Sequence, residues 1–138
     1  MDIAEKYGPE TEAADAPGQD PLARKFQKEL NAGLVALVLL AILDRAEEDL
    51  YGYQIAKRLQ REGGAGALVK QGALYPVLRT LSAAGLLASR VVPSYSGPPR
   101  RYYRITSTGR ATLQQWRTIW QETRDFVNDF TDPTGART

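Results

Sequence analysis

Few side chains in this sequence are placed to do chemistry, and they fall into three groups. Glu47, Glu48 and Asp49 are consecutive carboxylates. Acid–base catalysis needs a side chain held within hydrogen-bond reach of the proton it moves, whereas neighbours on a charged connector diverge, so this cluster reads as solvated. Gly63-Gly64-Ala65-Gly66 lacks the lysine and the flanking strand of a phosphate-cradling loop. The third group is basic and polar, with Lys70, Gln71, Tyr75 and Arg79 in one stretch and Arg100, Arg101 and Arg104 in another. Glutamine can bond adenine through two atoms, and arginine and lysine meet phosphates. The chemistry these residues suit is contact with double-stranded DNA.

Composition narrows the choice further. The 138 residues contain no cysteine and no histidine, which removes disulfides, thiolate nucleophiles, Cys/His metal sites and imidazole bases. No metal, cofactor or enzymatic activity is expected. The net charge is only +2, so positive charge useful to nucleic acid must be concentrated locally. The N-terminal residues lack the apolar core of a secretory signal, and the longest apolar run, 34–43, is about half of a membrane span. A cytoplasmic protein without membrane contact is the expectation.

The elements that would position these residues can be read from periodicity. Residues 1–22 and 132–138 are polar, rich in small residues and without apolar period, and are expected to be a flexible leader and a disordered tail. A first helix is predicted over about 22–43, apolar nearly all round in its second half. A second covers about 52–61, with Ile55 and Leu59 inward and Lys57, Arg58 and Arg61 outward. A third runs from Gln71 to a stop at Gly85, burying Leu74, Val77, Leu78 and Leu81 as one stripe. Residues 86–92 and 101–105 read as a hairpin around Pro93–Pro99. A last helix follows Thr106, with Ser107 and Thr108 as capping candidates, and runs to about Phe130. The expected fold class is mainly α with a small β-hairpin: a winged helix-turn-helix over 23–105 plus a long C-terminal dimerisation helix over 106–131.

In that layout the third helix has its apolar face inward, leaving Gln71, Tyr75 and Arg79 outward, with Lys70 just before it. Arg100 and Arg101 stand at the hairpin tip, where a wing meets phosphates or the minor groove. Tyr102 and Tyr103 read as packing residues, one on each face of the strand. A winged helix can also serve as a protein-interaction module without specific DNA binding, and the residues leave that alternative open.

The last helix carries Leu113, Trp116, Ile119, Trp120, Thr123, Phe126, Val127 and Phe130 in steps of three and four. So long a stripe exceeds what one small core needs. Pairing with a second copy through Leu113, Ile119, Phe126, Val127 and Phe130, together with Leu34, Leu37 and Val38 of the apolar first helix, accounts for the excess.

Several segments resemble the PadR family of bacterial transcriptional regulators: Leu50-Tyr51-Gly52-Tyr53-Gln54-Ile55, Gly72-Ala73-Leu74-Tyr75-Pro76-Val77-Leu78, Ala84-Gly85-Leu86-Leu87, and Gly97-Pro98-Pro99-Arg100-Arg101-Tyr102-Tyr103-Arg104-Ile105-Thr106 with Gly109. The resemblance spans roughly 30–130 and fits the short form with a single final helix. It implies a homodimeric repressor whose third helix and wing read a palindromic operator. Tyr75 and the wing arginines carry over as DNA contacts. It also implies release by a small aromatic effector such as a phenolic compound or drug. In the drug-responsive short members a tryptophan matching Trp120 sandwiches flat ligands across the dimer axis; Trp116 reads chiefly as a dimer-core aromatic that can border the same site. Arg124, one turn after Trp120, favours neutral or anionic aromatics, with Glu122 and Asp125 expected to point elsewhere. The leader before Pro21 and the glycine-rich connector 63–66 depart from the common family pattern.

Overall fold

The computed structural model describes residues 20–62 and 71–135. Residues 1–19 of the expected leader, the tail beyond residue 135, the glycine connector and Lys70 lie outside them, whereas Pro21 and Leu22, read as leader, belong to the first helix. The element order is α1 (Pro21–Arg45), β1 (Leu50–Tyr51), α2 (Gly52–Glu62), α3 (Gln71–Ala83), β2 (Leu87–Val92), β3 (Arg100–Ile105) and α4 (Ser107–Thr131).

The chain divides into two compact units, Met1–Val35 and Ala36–Thr138. In the first, Asp20 caps α1 by accepting a hydrogen bond from the Ala23 amide at 2.8 Å, which satisfies a donor the helix start leaves over. Leu22, Phe26 and Leu30 are exposed there. In length and composition α1 as a whole is apolar enough to cross a bilayer, although its uninterrupted apolar run is short. Its second half is committed otherwise: Leu39 and Leu40 are fully buried and Leu43 nearly so.

Those leucines belong to the core of the second unit, with Leu50, Ile55, Leu59, Leu74, Leu78, Leu81, Leu86, Leu87, Tyr103, Ile105 and Leu113. The predicted inward stripe of α3 is there as read, except that Val77 is only half-buried. Gly85 ends α3 with φ +81°, the left-handed conformation glycine adopts without a Cβ penalty. The Leu86 amide donates to the Leu81 carbonyl and the Gly85 amide to that of Ser82, each at 3.0 Å, so the orphan carbonyls are satisfied.

The sheet has three strands in the order β1-β3-β2, all antiparallel. The hairpin was legible in the sequence; β1 was not, because two residues show no alternation. Leu50 pairs with Tyr103 and Tyr51 with Tyr102, while Val92 to Leu87 run opposite Arg100 to Ile105. Tyr102 and Tyr103 do lie on opposite faces, with Tyr103 the buried one.

Thr106 itself caps α4, correcting the expectation that Ser107 or Thr108 does so. Its hydroxyl accepts from the Gly109 amide at 2.9 Å and donates to the Gly85 carbonyl at 2.7 Å. A Cβ on Gly109 would lie 2.2 Å from the Leu86 carbonyl oxygen, so only glycine allows the first turn of α4 this close to the start of β2. Asp44, at the end of α1, accepts from Arg110 at 3.2 Å and lies 3.7 Å from Arg117, tying the base of α4 to α1.

Candidate nucleic-acid interface

Burying Leu74, Leu78 and Leu81 turns the other side of α3 outward, and Tyr75, Pro76 and Arg79 are exposed along it. Tyr75 and Arg79 stand one turn apart, as their spacing required. Gln71 opens the helix, where the backbone amides concentrate partial positive charge. The Tyr75 ring lies against the α carbon of Gly52, the first residue of α2.

The wing presents its two adjacent arginines to opposite faces of the sheet, as successive residues in a strand must. Arg101 shares a face with Tyr103 and donates from Nη1 to the Ser89 hydroxyl at 3.0 Å. Burial pushes the Tyr103 hydroxyl above the ordinary tyrosine value of 10.0. The Arg101 cation opposes that shift, Tyr75 adds to it and Arg79 opposes it, so all three lie within electrostatic reach of the Tyr103 hydroxyl. Arg101 on the wing and Tyr75 and Arg79 on α3 thus all bear on the charge of the same hydroxyl.

Arg100 belongs to the other face, where its guanidinium lies 4.5 Å from the centre of the Tyr51 ring. Tyr51 packs edge-on to Tyr102 at 5.4 Å and alongside Tyr53 at 6.3 Å, and the Lys57 ammonium lies 5.4 Å from the Tyr53 ring. Arg100, Tyr51, Tyr53 and Lys57 thus form a row of cations held on aromatic faces. Among the described residues, neither cation has a carboxylate partner, which leaves their charge available to an anion. Arg90 differs: it lies over Tyr102 at 5.0 Å but also donates to Asp49 at 3.0 Å, so its charge is compensated. The aromatic part of the row escaped the reading of single residues. The i, i+4 spacing of Tyr53 and Lys57 could have given one of its pairs, but the Tyr51–Arg100 contact depends on the unforeseen strand β1.

The residues expected at a dimer interface and ligand site separate along α4. Leu113 is buried within its own chain, which corrects its placement on the free stripe. Trp116 is half-buried. Beyond it Ile119 is 58%, Phe126 64% and Phe130 78% exposed, and Trp120 and Val127 are exposed as well. Phe126 and Phe130 pack on each other with ring centres 5.0 Å apart. On α1, Leu34, Leu37 and Val38 are half-buried. Arg124 is not a free cation, since its Nη2 lies 3.0 Å from Asp125, so Asp125 turns toward it rather than elsewhere. Among the described residues no three side chains converge as metal ligands.

Residues 39–115, which hold the end of α1, the wing and the base of α4, match the transcriptional regulator PadR-like family. The chain belongs to the PadR-like family. It is a transcriptional regulator and not an enzyme. Its relatives include the transcriptional regulator Rv3488 of Mycobacterium tuberculosis, 39% identical over 102 residues that cover 72% of this chain and 83% of that protein. A PadR family transcriptional regulator from Eggerthella lenta has a similar structure, with a TM-score of 0.70 and 30% identity over 86% of this chain and 99% of that one. The PadR of Bacillus subtilis, solved in complex with operator DNA, shares the fold at a TM-score of 0.54 and 24% identity, covering 60% of this chain and 46% of that one. These PadR-like neighbours agree with the winged helix-turn-helix architecture expected from the order of elements.

Proposed function

We propose that this regulator is a homodimeric repressor that binds a palindromic operator and leaves it when a small aromatic molecule binds between the paired α4 helices. The observation carrying this reading is the apolar stripe of Ile119, Phe126, Val127 and Phe130, which one chain leaves open to water. A patch on a single helix face is self-complementary under two-fold rotation, so a second copy covers it with the same residues. Two-fold pairing presents two α3 helices and two wings, which suits an operator with two half-sites.

In each half-site Tyr75, Arg79 and Arg101 face the DNA from the α3 side, with Gln71 at the start of α3, Lys70 before it in sequence, and Arg100 on the far face of the wing. Phosphate contacts fix the register, and base-edge contacts from α3 select the sequence. A protein acting this way works in the cytoplasm, beside the chromosome.

Trp120, exposed on the same helix face, offers a flat apolar wall, and its copy across the two-fold axis offers a second. Trp116 borders that space. Because Asp125 compensates Arg124, the charge selection is weak and neutral aromatics fit as well as anionic ones. A ligand held there releases DNA only by as much as it favours a helix spacing the operator does not match.

Binding of the purified protein to DNA from upstream of its own gene, beside unrelated DNA at low and moderate salt, tests the reading. Preferential binding that falls steeply with salt is expected. No binding to either DNA at low salt would overturn it in favour of a protein-interaction module. Trp120→Ala should retain operator binding and lose release by phenolic compounds; release that survives unchanged removes the Trp120 site.

A further inference from the structure

Gly52 is a buried glycine in the first turn of a regular helix. Its φ lies outside the left-handed range, so the backbone there does not call for glycine. Space does. A Cβ built on Gly52 would lie 2.6 Å from both Cε1 and the hydroxyl oxygen of Tyr75 and 2.8 Å from its Cζ. Real Cβ contacts are not this short, so something must move. All three obstructing atoms belong to the end of one side chain, and no backbone atom is among them. Tyr75 is 38% exposed and has open solvent to move into.

We infer that Gly52 is a positioning residue for operator recognition: its bare α carbon is the seat that fixes the Tyr75 ring on the face of α3. The inference rests on the proposed role of Tyr75 at the operator. A tyrosine on an exposed helix side has several rotamers, and a contact with DNA must select one of them. The ring that reaches back over the start of α2 is held before DNA arrives, so less freedom is lost on binding. Gly52 meets no DNA itself; it acts through Tyr75. A methyl group at this position displaces the ring without disturbing the helix, since alanine is the better helix former.

The test is a double-mutant cycle on the duplex from the protein's own promoter, with thermal unfolding measured alongside. Gly52→Ala should melt at or above the parent temperature, yet bind the duplex about tenfold more weakly, a loss typical of one recognition contact. Tyr75→Ala should lose a similar factor. The double variant should bind no more weakly than Tyr75→Ala alone, because the methyl then has nothing to displace. It also vacates the space, so the comparison holds even if Gly52→Ala alone folds poorly. Parental affinity for Gly52→Ala, additive losses, or a harmless Tyr75→Ala would each overturn the inference while leaving operator binding by the parent intact. Failure of the parent to bind would overturn both readings.

Discussion

The two halves of α4 continue one apolar period and meet opposite fates. The first half is completed within its own chain: Thr106 caps it, Gly109 lets it approach β2, Leu113 is buried, and Arg110 and Arg117 reach Asp44. The second half keeps the stripe but finds nothing to cover Ile119, Phe126, Val127 or Phe130. The contrast teaches that a helical stripe says which face will be covered, not which molecule covers it. The base of α4 therefore acts on the stability of the chain, and its outer half is the part that the proposed pairing would use.

Leu113 puts that division to the strongest test. Leu113→Ala should destabilise the chain by roughly 2–5 kcal/mol in chemical denaturation, the usual cost of emptying a buried leucine site. Phe130→Ala should alter only the part of stability that depends on protein concentration. Equal, concentration-independent losses at both sites would erase the distinction.

The next effect concerns pairing. Placing carboxylates on the stripe with Ile119→Asp and Phe126→Asp should weaken self-association by about a hundredfold or more, since an interface burying unpaired charge forfeits several kcal/mol. Far-ultraviolet circular dichroism should be unchanged, and sedimentation should show the shift from dimer to monomer. A variant that still sediments as a dimer would place the interface elsewhere.

A smaller effect extends the same logic to the wing, where Arg90 has a carboxylate partner and Arg101 has only the Ser89 hydroxyl. Arg101→Ala should lower the slope of log affinity against log salt by about one. Arg90→Ala should leave it nearly unchanged, because Asp49 already holds that cation. Equal slopes for the two variants would show that partnering does not sort the wing arginines.

The smallest effect is a pH dependence. Tyr103 has a native value above 10.0 because burial disfavours its phenolate. Its contribution is fully present below the unfolded value and is lost as pH rises from there through the raised native one. Parent stability should therefore fall more steeply above pH 10 than that of Tyr103→Phe, as read by denaturation across that range. Parallel curves would mean that the hydroxyl is not held in its neutral form.

Much of this arrangement was legible in the sequence, for identifiable reasons. The stripe of Leu74, Leu78 and Leu81 is a 3.6-residue period and Gly85 is a stop signal, so α3 and its outward residues followed. The opposite faces of Tyr102 and Tyr103 follow from strand alternation. What could not be read depends on contacts between distant segments. Two residues are too few to announce β1, so the stacking of Arg100 on Tyr51 was hidden. The ion pair of Arg124 with Asp125 depends on rotamers that spacing does not specify. The seating of Tyr75 on Gly52 joins two helices, and no local pattern relates them. Leu113 lies on the same stripe as Phe130, and only the fold shows that it belongs to its own chain's core.

In the proposed function the open half of α4 makes this regulator a dimer on its operator. Sedimentation equilibrium of the protein mixed with a duplex from its own promoter tests it most directly. A complex of two chains per duplex is expected, formed at concentrations where unrelated DNA remains free. One chain per duplex, or no preference for the promoter, would contradict it.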